Sequence, residues 1–215
     1  MEDYRAWIEV DLSAIVANLK LIKSLNPEIG IMAVIKANAY GCGAVEVAKA
    51  VLSNGASWLG VALVEEGIAL REAGIAAPIL VLGVVPERDA RLAVKWNLSV
   101  AFTDLRGAEV LSAAARSLGK TASGQLKVDT GMHRLGVSPA QAKELLEKAR
   151  KLAGLNVEGI FTHLATADLE DDSAAKQQVE KMRKLCEDLG DQCPRLVHWS
   201  NSAGALKLAR GSNFI

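Results

Sequence analysis

Short apolar runs rich in β-branched residues alternate with longer amphipathic stretches seven times along this chain, and that alternation limits its possible folds more than any other feature. The runs at residues 31–35, 58–62, 79–82, 98–102, 124–128, 157–162 and 196–199 have the length and composition of buried strands. Helical patterning follows each of them, at 45–52, 65–73, 87–94, 108–118, 140–152, 174–189 and 203–208. Strands that recur with a helix between them run parallel, and a parallel sheet has to be covered by helices. Two α/β architectures meet that demand, an open doubly wound sheet and a TIM-type (β/α)8 barrel. With 215 residues, half of them hydrophobic, the chain can fill one large core of either kind. Ahead of the first unit, Trp7-Ile8-Glu9-Val10 alternates like a short strand. Asp11 or Ser13 can then cap an amphipathic helix that carries Ile15, Leu19 and Ile22 on one face.

Several function classes are disfavoured. Basic and acidic residues balance at 25 each, so no cationic surplus exists for nucleic acid. The longest apolar run, 75–85, is interrupted by Pro78 and Gly83 and is too short to span a bilayer, so no membrane partner is expected. Met1-Glu2-Asp3-Tyr4-Arg5 lacks a cationic start followed by an apolar segment, which points to a cytoplasmic protein. Cys42, Cys186 and Cys193 form no C-x-x-C pair and suit a reducing compartment. His133, His163 and His198 lack zinc-ligand spacing, and Glu170-Asp171-Asp172 reads as a solvated loop, so no metal is expected. Neither a G-x-G-x-x-G nor a P-loop pattern occurs.

Chemistry enters at Val34-Ile35-Lys36-Ala37-Asn38-Ala39-Tyr40-Gly41-Cys42-Gly43. A lysine closing a buried strand either snorkels to water or, if its ammonium is desolvated, becomes a nucleophile able to form a Schiff base. The following tyrosine and glycines read as a tight turn where a phenol and backbone N–H groups approach a phosphate. Glu65-Glu66 reads as first-turn helix charge rather than an acid/base pair. Asn201-Ser202 falls at the start of the last helix, either as an anion site or as a plain cap.

The decapeptide resembles the pyridoxal-phosphate lysine motif of the alanine racemases. Further stretches resemble the same family in the same order: Glu65-Glu66-Gly67 with Leu70-Arg71, Lys127-Val128-Asp129-Thr130-Gly131-Met132-His133-Arg134-Leu135-Gly136, Phe161-Thr162-His163-Leu164-Ala165-Thr166-Ala167-Asp168, and Asn201-Ser202-Ala203. One departure is Cys42, where the family usually has histidine. The resemblance implies a pyridoxal 5'-phosphate enzyme interconverting L- and D-alanine for the cell wall. Lys36 would be the catalytic and cofactor-bonded lysine, and Tyr40, Asn201 and Ser202 would bind its phosphate. Arg134 would face the cofactor's phenolate oxygen, His163 would lie against its ring, and Lys127 would be carbamylated to brace Arg134, with a salt bridge to Asp129 as the alternative. His133 lacks such support.

These candidates fall at or just after four separate strand ends. An open sheet gathers its ligand at one switch point, whereas a barrel brings all strand ends to one mouth, so the barrel is preferred, in agreement with the resemblance. By resemblance the barrel is incomplete: residues 1–11 are a strand segment that pairs elsewhere, residues 12–215 are the barrel stopped before its eighth strand, and a C-terminal β domain is absent. Two unpaired sheet edges are then expected. The full-length form would be a homodimer whose second base, a tyrosine, comes from the partner's C-terminal domain, leaving the 215-residue chain poorly active. The alternatives are a non-catalytic pyridoxal-phosphate-binding barrel, or a racemase or decarboxylase of another amino acid.

Overall fold

The computed structural model describes residues 6–215, so the expectations resting on Tyr4 and the first five residues lie outside it. Seven strands, β1 (Met32–Val34), β2 (Trp58–Val61), β3 (Ile79–Val81), β4 (Ser99–Phe102), β5 (Ala122–Lys127), β6 (Leu155–Phe161) and β7 (Leu196–His198), form one parallel sheet in sequence order. Helices α3 (Ala44–Leu52), α4 (Val64–Glu72), α5 (Glu87–Lys95), α6 (Leu105–Leu118), α7 (Pro139–Arg150) and α8 (Ser173–Leu189) lie between successive strands, and α9 (Ser202–Lys207) follows β7. A further helix, α1 (Leu12–Leu25), precedes the sheet and is capped by Asp11, whose carboxylate accepts the Ser13 and Ala14 N–H groups. No helix among the described residues is long and apolar enough to cross a membrane.

Two apolar layers result. The larger packs the outward strand side chains, such as Leu59, Val61, Ile79, Val81, Val100 and Leu126, against the inner faces of the helices. The smaller lies inside the curled sheet, where Met32, Trp58, Leu80, Ala101, Phe161, Leu196 and Phe214 meet. Burial on both faces is why β2, β3 and β4 read as continuous rather than alternating apolar runs.

Two expectations are corrected. The sheet edges are not bare, because the segment ending in Phe214 and Ile215 slots between β7 and β1. Phe214 bridges Gly30 on one side and His198 on the other, both in parallel sense. The Gly30 N–H donates to Asn213, the Ile215 N–H to Gly30 and the Asn213 N–H to Val197. Gly30 makes this approach possible, since a Cβ there would sit 2.3 Å from the Phe214 ring. Trp58 receives that ring edge-on, with centroids 6.0 Å apart. The second correction concerns Trp7 to Val10, which are exposed and form no strand. Alternation alone cannot hold a strand without a ladder partner, and none lies beside these residues among those described.

Candidate active site

Every candidate singled out from the sequence, Lys36, Tyr40, Lys127, Arg134, His163, Asn201 and Ser202, lines one cavity of about 260 Å³ at the C-terminal mouth of the sheet. Met32, Leu82 and Phe161 give it an apolar floor. His133 is exposed and turned towards Asp129 instead.

Lys36 opens α2 (Lys36–Tyr40), which is not an ordinary helix. Ala37, Asn38, Ala39 and Tyr40 all have φ between 50 and 55°, a single left-handed turn built from residues that carry a Cβ. That conformation costs roughly 1–2 kcal/mol per residue, so neighbouring groups have to hold it. Ala39 donates to Ile35 at 2.8 Å, Gly41 to Ala37 at 3.0 Å, and the Asn38 side chain accepts from Ala44 at 2.8 Å. Gly41 and Gly43, both at φ 90°, return the chain to the right-handed α3. The Lys36 ammonium consequently stands 5.9 Å from the centre of the Tyr40 ring.

Arg134 is delivered by a loop that leaves β5 and comes back to it. Asp129 donates its N–H to Val137, and Val137 donates to Lys127. One Asp129 oxygen accepts the N–H groups of Gly131, Met132 and His133 at 2.9–3.1 Å; burial raises its carboxyl pKa, but these bonds together hold it below the usual range. Asp129 is thus spent on the loop backbone. The alternative of a Lys127–Asp129 salt bridge is not formed among the described residues. The Lys127 amine instead lies 5.5 Å from the Phe161 ring centre.

Electrostatically the cavity is over-supplied with cations. Burial lowers the Lys127 pKa first, and Arg134 and Lys36 lower it further, with Asp129 opposing. Burial likewise depresses His163, followed by Arg134, Lys127 and Lys36. A cavity in which burial and nearby cations disfavour the charged forms of Lys127 and His163 favours an anionic occupant. At the far side Asn201 caps α9 by accepting the Gly204 N–H at 2.9 Å, which leaves Ser202 at the rim. No group of three His, Cys, Asp or Glu residues among those described could hold a metal.

Sequence reasoning missed three contributors. Gln178, 3 % exposed on α8, donates to the His163 carbonyl at 2.9 Å and accepts from Ala165 at 2.8 Å, so it fixes the loop after β6. Nothing in a helical glutamine announces that. Ser200, beside the Asn201-Ser202 motif, buries a hydroxyl that has no partner among the described residues. His198, whose direction the sequence left open, points into the barrel. It stacks on Phe161 with centroids 4.7 Å apart and its Nε2 sits 2.8 Å from the Gln125 side-chain Oε1, and burial takes its pKa down to about 3.

Comparison with known proteins agrees with this geometry. The family model "Alanine racemase, N-terminal domain" matches residues 10–214. An alanine racemase of Symbiobacterium thermophilum is 44% identical over 202 residues, covering 93% of this chain and 54% of its own length. A solved alanine racemase from Clostridium difficile 630, in complex with cycloserine, superposes with a TM-score of 0.95 at 34% identity, over 100% of this chain and 60% of that one. A histidine racemase from Leuconostoc mesenteroides subsp. sake superposes at 0.90 with 31% identity, over 100% and 58%. The chain therefore spans little more than half the length of the curated relative.

Proposed function

The chain belongs to the alanine racemase N-terminal domain family, and on that premise we propose that it is the cofactor-holding barrel of a pyridoxal-phosphate-dependent enzyme interconverting L- and D-alanine. The observation that carries this reading is the convergence of all seven candidate side chains on one cavity where burial and the neighbouring cations depress Lys127 and His163. The residues fit the cofactor. A doubly charged phosphate, a phenolate oxygen and an aldehyde ask for anion donors, a fixed cation and an amine. Tyr40, Asn201 and Ser202 stand for the first, Arg134 for the second and Lys36 for the third.

When bound, pyridoxal phosphate supplies an electron sink that renders the substrate Cα–H acidic. Lys36 would hold it through its amine and would take or return a proton at the substrate Cα on one face. Arg134 and His163 would orient the ring, and the apolar Met32, Leu82 and Phe161 lining the cavity would exclude water. Lys127 would react with carbon dioxide as the neutral amine, which its depressed pKa favours, releasing a proton to solvent. The resulting carbamate replaces a cation with an anion beside Arg134. By family resemblance the opposite-face base would be a tyrosine of the partner's C-terminal domain, while Tyr40, its ring centre 5.9 Å from the Lys36 amine, matches the phosphate ligand. By the same family resemblance the working enzyme is cytoplasmic and homodimeric and supplies D-alanine for peptidoglycan.

Addition of pyridoxal phosphate, recorded by visible spectrum before and after borohydride reduction, is expected to leave a pyridoxyl group on Lys36 in the peptide map. A label elsewhere, or none, would overturn the assignment. Isotopically labelled bicarbonate followed by carbonyl NMR should report a carbamate that a Lys127→Met variant lacks. A second reading, racemisation of a larger amino acid, is favoured only by the likeness to the histidine racemase. Turnover assays of L-alanine and L-histidine, each followed to its D-form, decide between the two. The non-catalytic alternative predicts neither product.

A further inference from the structure

Glu66 lies at the third position of α4, where a carboxylate normally serves its own helix. One of its oxygens does so, accepting the Leu63 N–H at 3.1 Å and the Ala62 N–H at 2.7 Å. Its other oxygen leaves the helix altogether. It accepts the N–H of Ala37 at 2.6 Å, the peptide joining Lys36 to the left-handed turn. Capping accounts for the first set of bonds and gives no reason for the second.

Three features make the second bond consequential. The turn is locally unfavourable over four consecutive residues, so its conformation depends on contacts from outside. Ala37 is the first of them, and the orientation of its peptide plane sets the direction of the Lys36 side chain. The bond joins the ends of β1 and β2 beyond the point where strand pairing ceases, the last sheet bond there being Ile35 N–H to Gly60 at 2.8 Å.

We propose that Glu66 is a positioning residue for Lys36, its carboxylate clamping the Ala37 peptide so that the amine emerges into the cavity in a reactive direction. The proposal rests on the reading that Lys36 bonds the cofactor. Glu66→Gln keeps the shape but offers one acceptor oxygen where two are needed, turning its NH2 group against an N–H. The exposed neighbour Glu65→Gln serves as control.

In the full chain, reductive labelling of Lys36 by pyridoxal phosphate is followed against aldehyde concentration, and amide hydrogen exchange at Ala37 is measured separately. Loss of a charge-assisted bond should lower the limiting labelling rate of Glu66→Gln roughly tenfold. Half-saturation should stay nearly constant, exchange at Ala37 should quicken, and Glu65→Gln should match wild type. An unchanged limiting rate in a Glu66→Gln protein that only melts earlier would reduce Glu66 to a helix cap and overturn the proposal. Unchanged exchange at Ala37 would overturn the clamp whatever Lys36 does. If wild type fails to label at Lys36 while Ala37 still responds to the substitution, the clamp stands as structure and the cofactor reading is what fails.

Discussion

His198 is accommodated inside the barrel only as a neutral ring, flat against Phe161 and hydrogen-bonded to Gln125, and this has a cost in acid. Burial holds its folded pKa at about 3, below the ordinary value near 6.5, so between those limits the unfolded chain binds a proton that the folded one refuses. Stability is therefore complete above about pH 6.5 and falls as pH drops towards 3, by at most about 1.4 kcal/mol per pH unit from this residue. Thermal melts at pH 7 and pH 5, above most carboxylate titrations, should show a larger drop for wild type than for His198→Phe, which keeps the stack. Equal drops would place the acid sensitivity elsewhere. Side-chain identity was legible in sequence for Lys36, Tyr40, Lys127, Arg134, His163, Asn201 and Ser202, because each sits in a motif. Direction was not legible for His198, since residues at a strand end face the core or the mouth according to a register that only pairing fixes.

Two short elements set the precision of the site. In the left-handed turn, glycine escapes the Cβ clash that alanine suffers, so Ala37→Gly should cost nothing or stabilise by up to about 1 kcal/mol. At exposed Ala113, in the middle of right-handed α6, the same change should destabilise by about 1 kcal/mol. Denaturant midpoints that rank the two variants the other way would contradict the left-handed assignment. In the Arg134 loop, Gly136 has φ 133° and a Cβ there would meet the Asp129 nitrogen at 2.6 Å, backbone that cannot step aside. Gly136→Ala should cost about 1–3 kcal/mol and weaken pyridoxal-phosphate retention in equilibrium dialysis. Intact retention would mean that Arg134 does not need a rigid loop. Strands and helices were readable to within a few residues because their apolar runs are continuous and their helical faces periodic. The left-handed turn was not, since alanine carries no signal for positive φ. Local spacing reads Glu66 as helix charge, and the long reach to Ala37 corrects that reading.

At the scale of the molecule the sevenfold alternation was sufficient to give a parallel sheet wrapped by helices, and strand-end chemistry was sufficient to choose a barrel. Closure was invisible, because Asn213-Phe214-Ile215 is too short to register as a strand by any periodicity. Removing residues 213–215 should strip partners from Gly30, Met32 and Val197, lower the melting temperature and promote self-association measurable by light scattering. A monomer of unchanged stability would show that these bridges are incidental. The same seam bears on the order in which the molecule assembles. Each strand–helix unit is built from local contacts, but Gly30 and Phe214 lie far apart in sequence, so joining them requires a loop closure that no local step prepares. During synthesis the arc grows strand by strand and its first edge, β1, waits uncovered until the segment around Phe214 has left the ribosome. The hazard of misassembly is therefore greatest in that interval, when an apolar strand edge stands beside a half-made cavity without its partner.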